Sequence, residues 1–165
     1  MSNAFNDLMK RFGSYFKYDE DTDNKMKHKV RVMGELREAG FSDYQLGHSE
    51  VRQLFEIIEN DEHVMAAIYG RVRLRGVAII VATDKRVIYL DHIPFLDTLD
   101  EFNYMSISGI SYSANGISWS VTIHTNLGDH TLANVKTSLA KKFTNYIESV
   151  CIDQPFGSRN ISNNA

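Results

Sequence analysis

Apolar residues recur along the first part of the chain at the spacing that gathers them on one side of a helix. Phe5, Leu8, Met9, Phe12, Tyr15 and Phe16 make one stripe, with Asp7, Lys10, Arg11 and Ser14 opposite. Gly13 interrupts the stripe at a cost of about 1 kcal/mol relative to alanine, so this segment calls for a surface to dock on. The acids Asp19, Glu20, Asp21 and Asp23 precede the bases Lys25, Lys27, Lys29 and Arg31. That order suits a second helix from about Thr22, because carboxylates favour the positive end of the helix dipole. Its expected buried face is Met26, Val30, Met33 and Leu36, and Gly40 is its expected left-handed stop. A third helix, from about Ser49 to Asn60, has Ser49 as the expected cap and Val51, Leu54, Phe55 and Ile58 on one face.

The period changes at His63. From there to about Val135 the chain reads as short β-branched and aromatic runs broken by turn residues, about seven strands of an antiparallel meander or barrel. The clearest alternation has Ile117, Trp119, Val121 and Ile123 on one face and Ser118, Ser120, Thr122 and His124 on the other. Its partner follows Asn126-Leu127-Gly128-Asp129 and carries Thr131 to Val135. Val77 to Ala82 and Arg86 to Leu90 flank the tight connection Thr83-Asp84-Lys85, and Asn115-Gly116 marks another turn. A last helix runs from about Thr137 to Cys151 with Leu139, Phe143, Tyr146, Ile147 and Val150 on one stripe; an open barrel end needs such a plug. Pro155 follows it, and Ser158 to Ala165 is small and polar, the composition of a flexible tail.

Composition narrows the function classes. The chain has 165 residues, enough for one substantial core, and a formal net charge of -3 from 18 basic and 21 acidic residues. No nucleic-acid partner is expected of such a balance. One cysteine, Cys151, cannot make an internal disulfide, and the amino terminus has no uninterrupted apolar run of the secretory or membrane-spanning kind, so the cytosol is the expected address.

Several stretches carry a family likeness: Ala66-Ala67-Ile68-Tyr69-Gly70-Arg71, the run from Val81 through Thr83-Asp84-Lys85-Arg86 to Leu90, Ile107 to Ser113, and Ile123-His124-Thr125. Through them the segment from Glu62 to Ile152 resembles the bacterial pleckstrin-homology-like domain family. The resemblance implies an α+β fold, a PH-like seven-stranded antiparallel half-open barrel capped by a C-terminal helix, with an N-terminal helical extension outside it. The expected organisation is an extension over residues 1–46, the PH-like domain with its preceding helix over 47–152, and a tail over 153–165. Such domains bind phosphoinositides, peptides or their own copies, so the shape alone selects no ligand.

Candidate sites are few. Arg71, Arg73 and Arg75 alternate so that all three can face one side, and guanidinium forks suit a lipid phosphate or an acidic peptide; a strand edge protected by charge is the ordinary structural alternative. Lys85 and Arg86 belong to the opposite end of the hairpin, so the two basic clusters are not expected to converge. The helical face of Phe5, Leu8, Met9, Phe12 and Phe16 suits either protein contact, in cis or with a second copy, or a membrane interface; Lys10, Arg11 and Lys17 favour the latter and the acids at 19 to 23 oppose it. His28, His48, His63, His92, His124 and His130 lack metal-motif spacing, and whether His124 and His130 share a face depends on their hairpin. No phosphate loop, nucleotide fingerprint or nucleophile elbow is present, and Trp119 reads as core. The expectation is a binding or assembly module without metal, cofactor or catalysis, its partner a protein or a second copy, with anionic lipid as the alternative.

Overall fold

The computed structural model describes residues 20–72, 76–93, 96–116 and 118–153. Three helices come first: α1 (Glu20–Ala39), the single turn α2 (Asp43–Leu46) and α3 (Ser49–Ile57). Gly40 ends α1 with φ +109, and the Phe41 N–H returns to the Leu36 carbonyl at 3.0 Å, the left-handed closure expected there. A Cβ on it would also meet the end of the Leu139 side chain at 2.6 Å, which would have to shift. Ser42 and Gln45 form a reciprocal capping box that starts α2.

Seven strands follow: β1 (Val64–Val72), β2 (Gly76–Thr83), β3 (Val87–Ile93), β4 (Leu96–Phe102), β5 (Ile107–Asn115), β6 (Ser118–Thr125) and β7 (Gly128–Lys136). A 3-10 turn, Tyr104–Ser106, joins β4 to β5. The spatial order is β4-β3-β2-β1-β7-β6-β5, all neighbours antiparallel, so two meanders meet where β1 pairs β7 at Arg71 and Ala133. Gly70 permits that crossing, because a Cβ there would lie 2.7 Å from the Ala133 carbonyl oxygen. The C-terminal helix α4 (Thr137–Asp153) packs on β1, β5, β6 and β7 and plugs the barrel with Leu139, Phe143 and Ile147. This is the half-barrel with a capping helix and preceding helices that the residue pattern implied.

The sheet is covered unequally. Ala78, Ile80 and Ala82 of β2 point into the barrel, while Ile79 and Val81 point out beneath the helices, so β2 is apolar on both sides and reads as a continuous run. Val32, Leu36, Val51 and Leu54 cover Ile79, Val81, Ile88 and Leu90 in that outer layer. Each such aliphatic side chain contributes about 1.5–3 kcal/mol by leaving water. Two expectations need correction. Met26 and Val30 are 58% and 62% exposed, because α1 buries the adjacent stripe of Val32, Leu36 and Ala39. His48, with no side-chain cap bond, holds the cap position of α3, and Ser49 is its first helical residue. The stripe Phe5, Leu8, Met9, Phe12 and Phe16 lies outside the described residues, as do Arg73, Arg75 and Ile117. Among the described residues, no helix is long and apolar enough to cross a membrane.

Candidate functional site

The basic turn after β2 is occupied from within. Arg86 donates from Nε and Nη2 to the two Glu62 carboxylate oxygens, both at 2.9 Å, and from Nη1 to Glu101 at 2.6 Å. Glu62 is fully buried and also accepts from the Thr83 hydroxyl at 2.7 Å and the Glu59 N–H at 3.0 Å. Burial pushes the Glu62 carboxyl up, but these hydrogen bonds and the Arg86 charge outweigh it, and its pKa lies below the ordinary 4.5. Lys85 bridges Glu59 at 2.8 Å and Asp61 at 2.9 Å, contacts that raise its pKa. Tyr104 and Tyr146 both donate to the Thr83 carbonyl, which pins α4 over the same turn. A phosphate arriving here would have to displace carboxylates from both cations. The turn is a structural clasp.

Arg31 extends the clasp to α1. Its guanidinium donates to the carbonyls of Glu59 (3.1 Å), Asn60 (3.2 Å) and Glu62 (2.8 Å), and to Glu35 at 2.9 Å. Glu35 in turn accepts from the Val64 N–H at 2.9 Å, beside His63. Burial raises the Glu35 carboxyl less than these donors lower it. No sequence motif joins residues so far apart. The available signal was the acidic run Glu59, Asp61 and Glu62 immediately before the first strand, matching in charge the two bases of the turn.

Arg71 stands exposed on β1, at the other end of the β1–β2 hairpin. Six residues separate its rung, Arg71 with Val77, from the rung of Val64 with Thr83, about 20 Å at strand rise. It does not meet Lys85 or Arg86. His124 and His130 do not meet either: His130 pairs with the inward Ile123, whereas His124 pairs with Asp129 on the outer face. One ion cannot be held by both. His130 sits against Tyr89 and Phe102, at ring distances of 4.9 and 4.5 Å, and burial pushes its pKa down against the pull of Asp100 and Asp129. Trp119 is half-buried, stacked on Tyr112 at 4.8 Å, with the Lys141 ammonium of α4 5.7 Å from its ring.

The outer side of β5 is the open feature of the fold. It ends the strand order, and among the described residues no strand pairs with it there. Ser111, Tyr112, Ser113 and Ala114 are exposed, and no charged residue or proline occurs from Ile107 to Gly116. At the opposite end of the order, β4 carries Asp97, Asp100 and Glu101 within seven residues. Met105, 78% exposed, and Tyr112, 52% exposed, flank the β5 edge with apolar surface. A strand in this state presents alternating unpaired N–H and C=O groups, which another extended chain can complete.

The profile of the bacterial PH domain matches residues 58–149. No curated protein matches the chain. Among solved structures, the pleckstrin homology domain from Shewanella amazonensis SB2B is similar at 14% identity, covering 62% of this chain and 95% of that one, with a TM-score of 0.46. A DUF1696 family protein with a pleckstrin-homology domain from Shewanella loihica PV-4 is similar at 17% identity, covering 62% and 90%, with a TM-score of 0.36. With its strand order, its capping helix and a profile match over more than half of its length, this chain belongs to the bacterial PH domain family.

Proposed function

We propose that this PH-like domain is a self-associating binding module whose copies meet through the open edge of β5. The observation that carries the reading is the absence of charge from Ile107 to Gly116 on an edge that other proteins guard with charge. A charged edge can still accept a partner of opposite sign. An edge without charge brings no like pair together when it meets its own copy, whatever the register. A short ladder alone is too small for a stable interface, and Met105 and Tyr112 supply apolar area on either flank.

The lipid alternative rests on Arg71, Arg73, Arg75 and the Phe5 to Phe16 face; of these Arg71 alone is among the described residues, and the cations of the turn after β2, Lys85 and Arg86, add nothing to it because they are committed to carboxylates. The test is solution mass by light scattering, for the wild type and for Ser113→Lys, whose lysine repels its counterpart across a paired edge. A wild-type multimer that falls to the single-chain mass in S113K, with unchanged circular dichroism, is the expected result. A wild type that stays single at high micromolar concentration overturns self-association. Salt-sensitive sedimentation of that single chain with anionic vesicles then favours the lipid reading.

A further inference from the structure

The outer face of β5, β6 and β7 brings together three residues that no local motif joins. Ser111 Oγ lies 2.9 Å from His124 Nε2, and His124 Nδ1 lies 2.9 Å from Asp129 Oδ1. The register explains the meeting: Ser111 pairs with Thr122, His124 with Asp129, and the imidazole leans across Gly109, its own partner on β5. Each ring nitrogen faces the group that a nucleophilic triad requires. The carboxylate accepts from Nδ1–H and so leaves Nε2 as the acceptor of the serine proton. Ser111 itself is exposed. Beside it the hydroxyls of Thr122 and Thr131 lie 2.8 Å apart. Only one of those two protons is used between them, and the second remains free to donate outward.

We infer that Ser111, His124 and Asp129 form a reactive serine site that accepts acyl groups from small esters, with the free threonine proton as donor to the oxyanion. Ser111 Oγ attacks the ester carbonyl carbon as its proton passes to His124 Nε2, and the carbonyl π electrons move onto oxygen. Collapse of that oxyanion breaks the bond to the alkoxy group, which leaves with the proton from Nε2. Water then attacks the acyl-serine, His124 taking and returning a proton, and the products are a carboxylic acid and the free serine. Asp129 is a positioning residue that fixes the tautomer and angle of the ring. The site lies on an exposed sheet face, so acylation should be easier to detect than turnover, because no element among the described residues encloses the oxyanion in a medium of low dielectric.

The alternative role for these bonds is a polar ladder that only ties three strands together. A fluorophosphonate probe, whose phosphorus takes the serine oxygen as fluoride leaves, separates the two. The full-length protein should take up one equivalent, mapped to Ser111, and His124→Gln should slow the reaction by about 10²-fold, the usual worth of a positioned general base. Asp129→Asn should slow it less, and Asp129→Glu should restore most of the rate. Hydrolysis of p-nitrophenyl acetate should show a burst that Ser111→Ala removes. A label spread over several serines, or one whose rate is the same in H124Q, overturns the proposal and leaves the ladder.

Discussion

The two halves of this sheet are finished differently. The outer face of β1, β2 and β3 is apolar and lies beneath α1 and α3, and its end is fastened by the Glu62, Arg86 and Arg31 clasp. The outer face of β5 to β7 carries Ser111, Thr122, His124, Asp129 and Thr131, which bond to each other across strands. The two edges repeat the contrast, with three acids on β4 and none on β5. Most of the ion pairs among the described residues hold one half shut, and the other half presents a polar, accessible face with an uncharged strand, β5, at its edge.

Removing the cover should have the largest effect. Deletion of residues 1–46 takes away Val32 and Leu36 and bares part of the apolar layer over Ile79, Val81, Ile88 and Leu90. The expected outcome is aggregation or loss of the cooperative thermal transition, whereas a soluble, folded product would show that α1 is dispensable to the sheet. Next comes the clasp. Glu62→Ala empties a fully buried position and leaves the partly exposed Arg86 with only Glu101 and the Ile57 carbonyl, and should cost about 3 kcal/mol in chemical unfolding. Acid should do part of the same work. Glu62 and Glu35 have pKa values lowered by folding from 4.5, so they add stability above that value and lose it as pH falls below 4.5 through the folded values. Stability measured from pH 6 to pH 3 should fall steeply in the wild type and less steeply in Glu62→Gln.

The buried stripe of α1 gives a finer comparison. Leu36→Ala should cost about 2–5 kcal/mol, and Val30→Ala, six residues earlier on the same helix and exposed, less than about 0.5 kcal/mol. Equal costs would mean that α1 turns its other face to the sheet. Here the sequence misled for a definable reason. Met26, Val30 and Met33 form the more conspicuous apolar stripe, but the docked face mixes Val32, Leu36 and Ala39 with His28, Arg31 and Glu35, which bond to the last turn of α3, the loop after it and the start of β1. Hydropathy counts those three against burial, although their polar atoms are satisfied. Local rules served well where one residue decides the geometry, as at Gly40, and where a single stripe faces a single core, as along α4. They carried no information on partners separated by strand register. Ser111 and His124 become neighbours only once β5 and β6 are paired with the shift between Ile107 and Gly109.

The smallest expected effect is on the open half, and it tests whether that half is held by its surface bonds at all. Thr131→Val removes one hydroxyl of the Thr122 pair while keeping the branched shape that a strand favours. Cross-strand pairs of this kind are worth about 0.2–1 kcal/mol, and water can replace the lost partner because Thr131 is exposed. At this chain length 1 kcal/mol moves Tm by about 2–4 °C, so calorimetry should find a change at or below that range. A larger loss would mean that the outer ladder braces β5 against leaving the sheet. In that case the neutral edge is held in place by the same hydroxyl and imidazole bonds that lie beside it, and substitutions at Ser111 or His124 should shift the solution mass as well as the melting point.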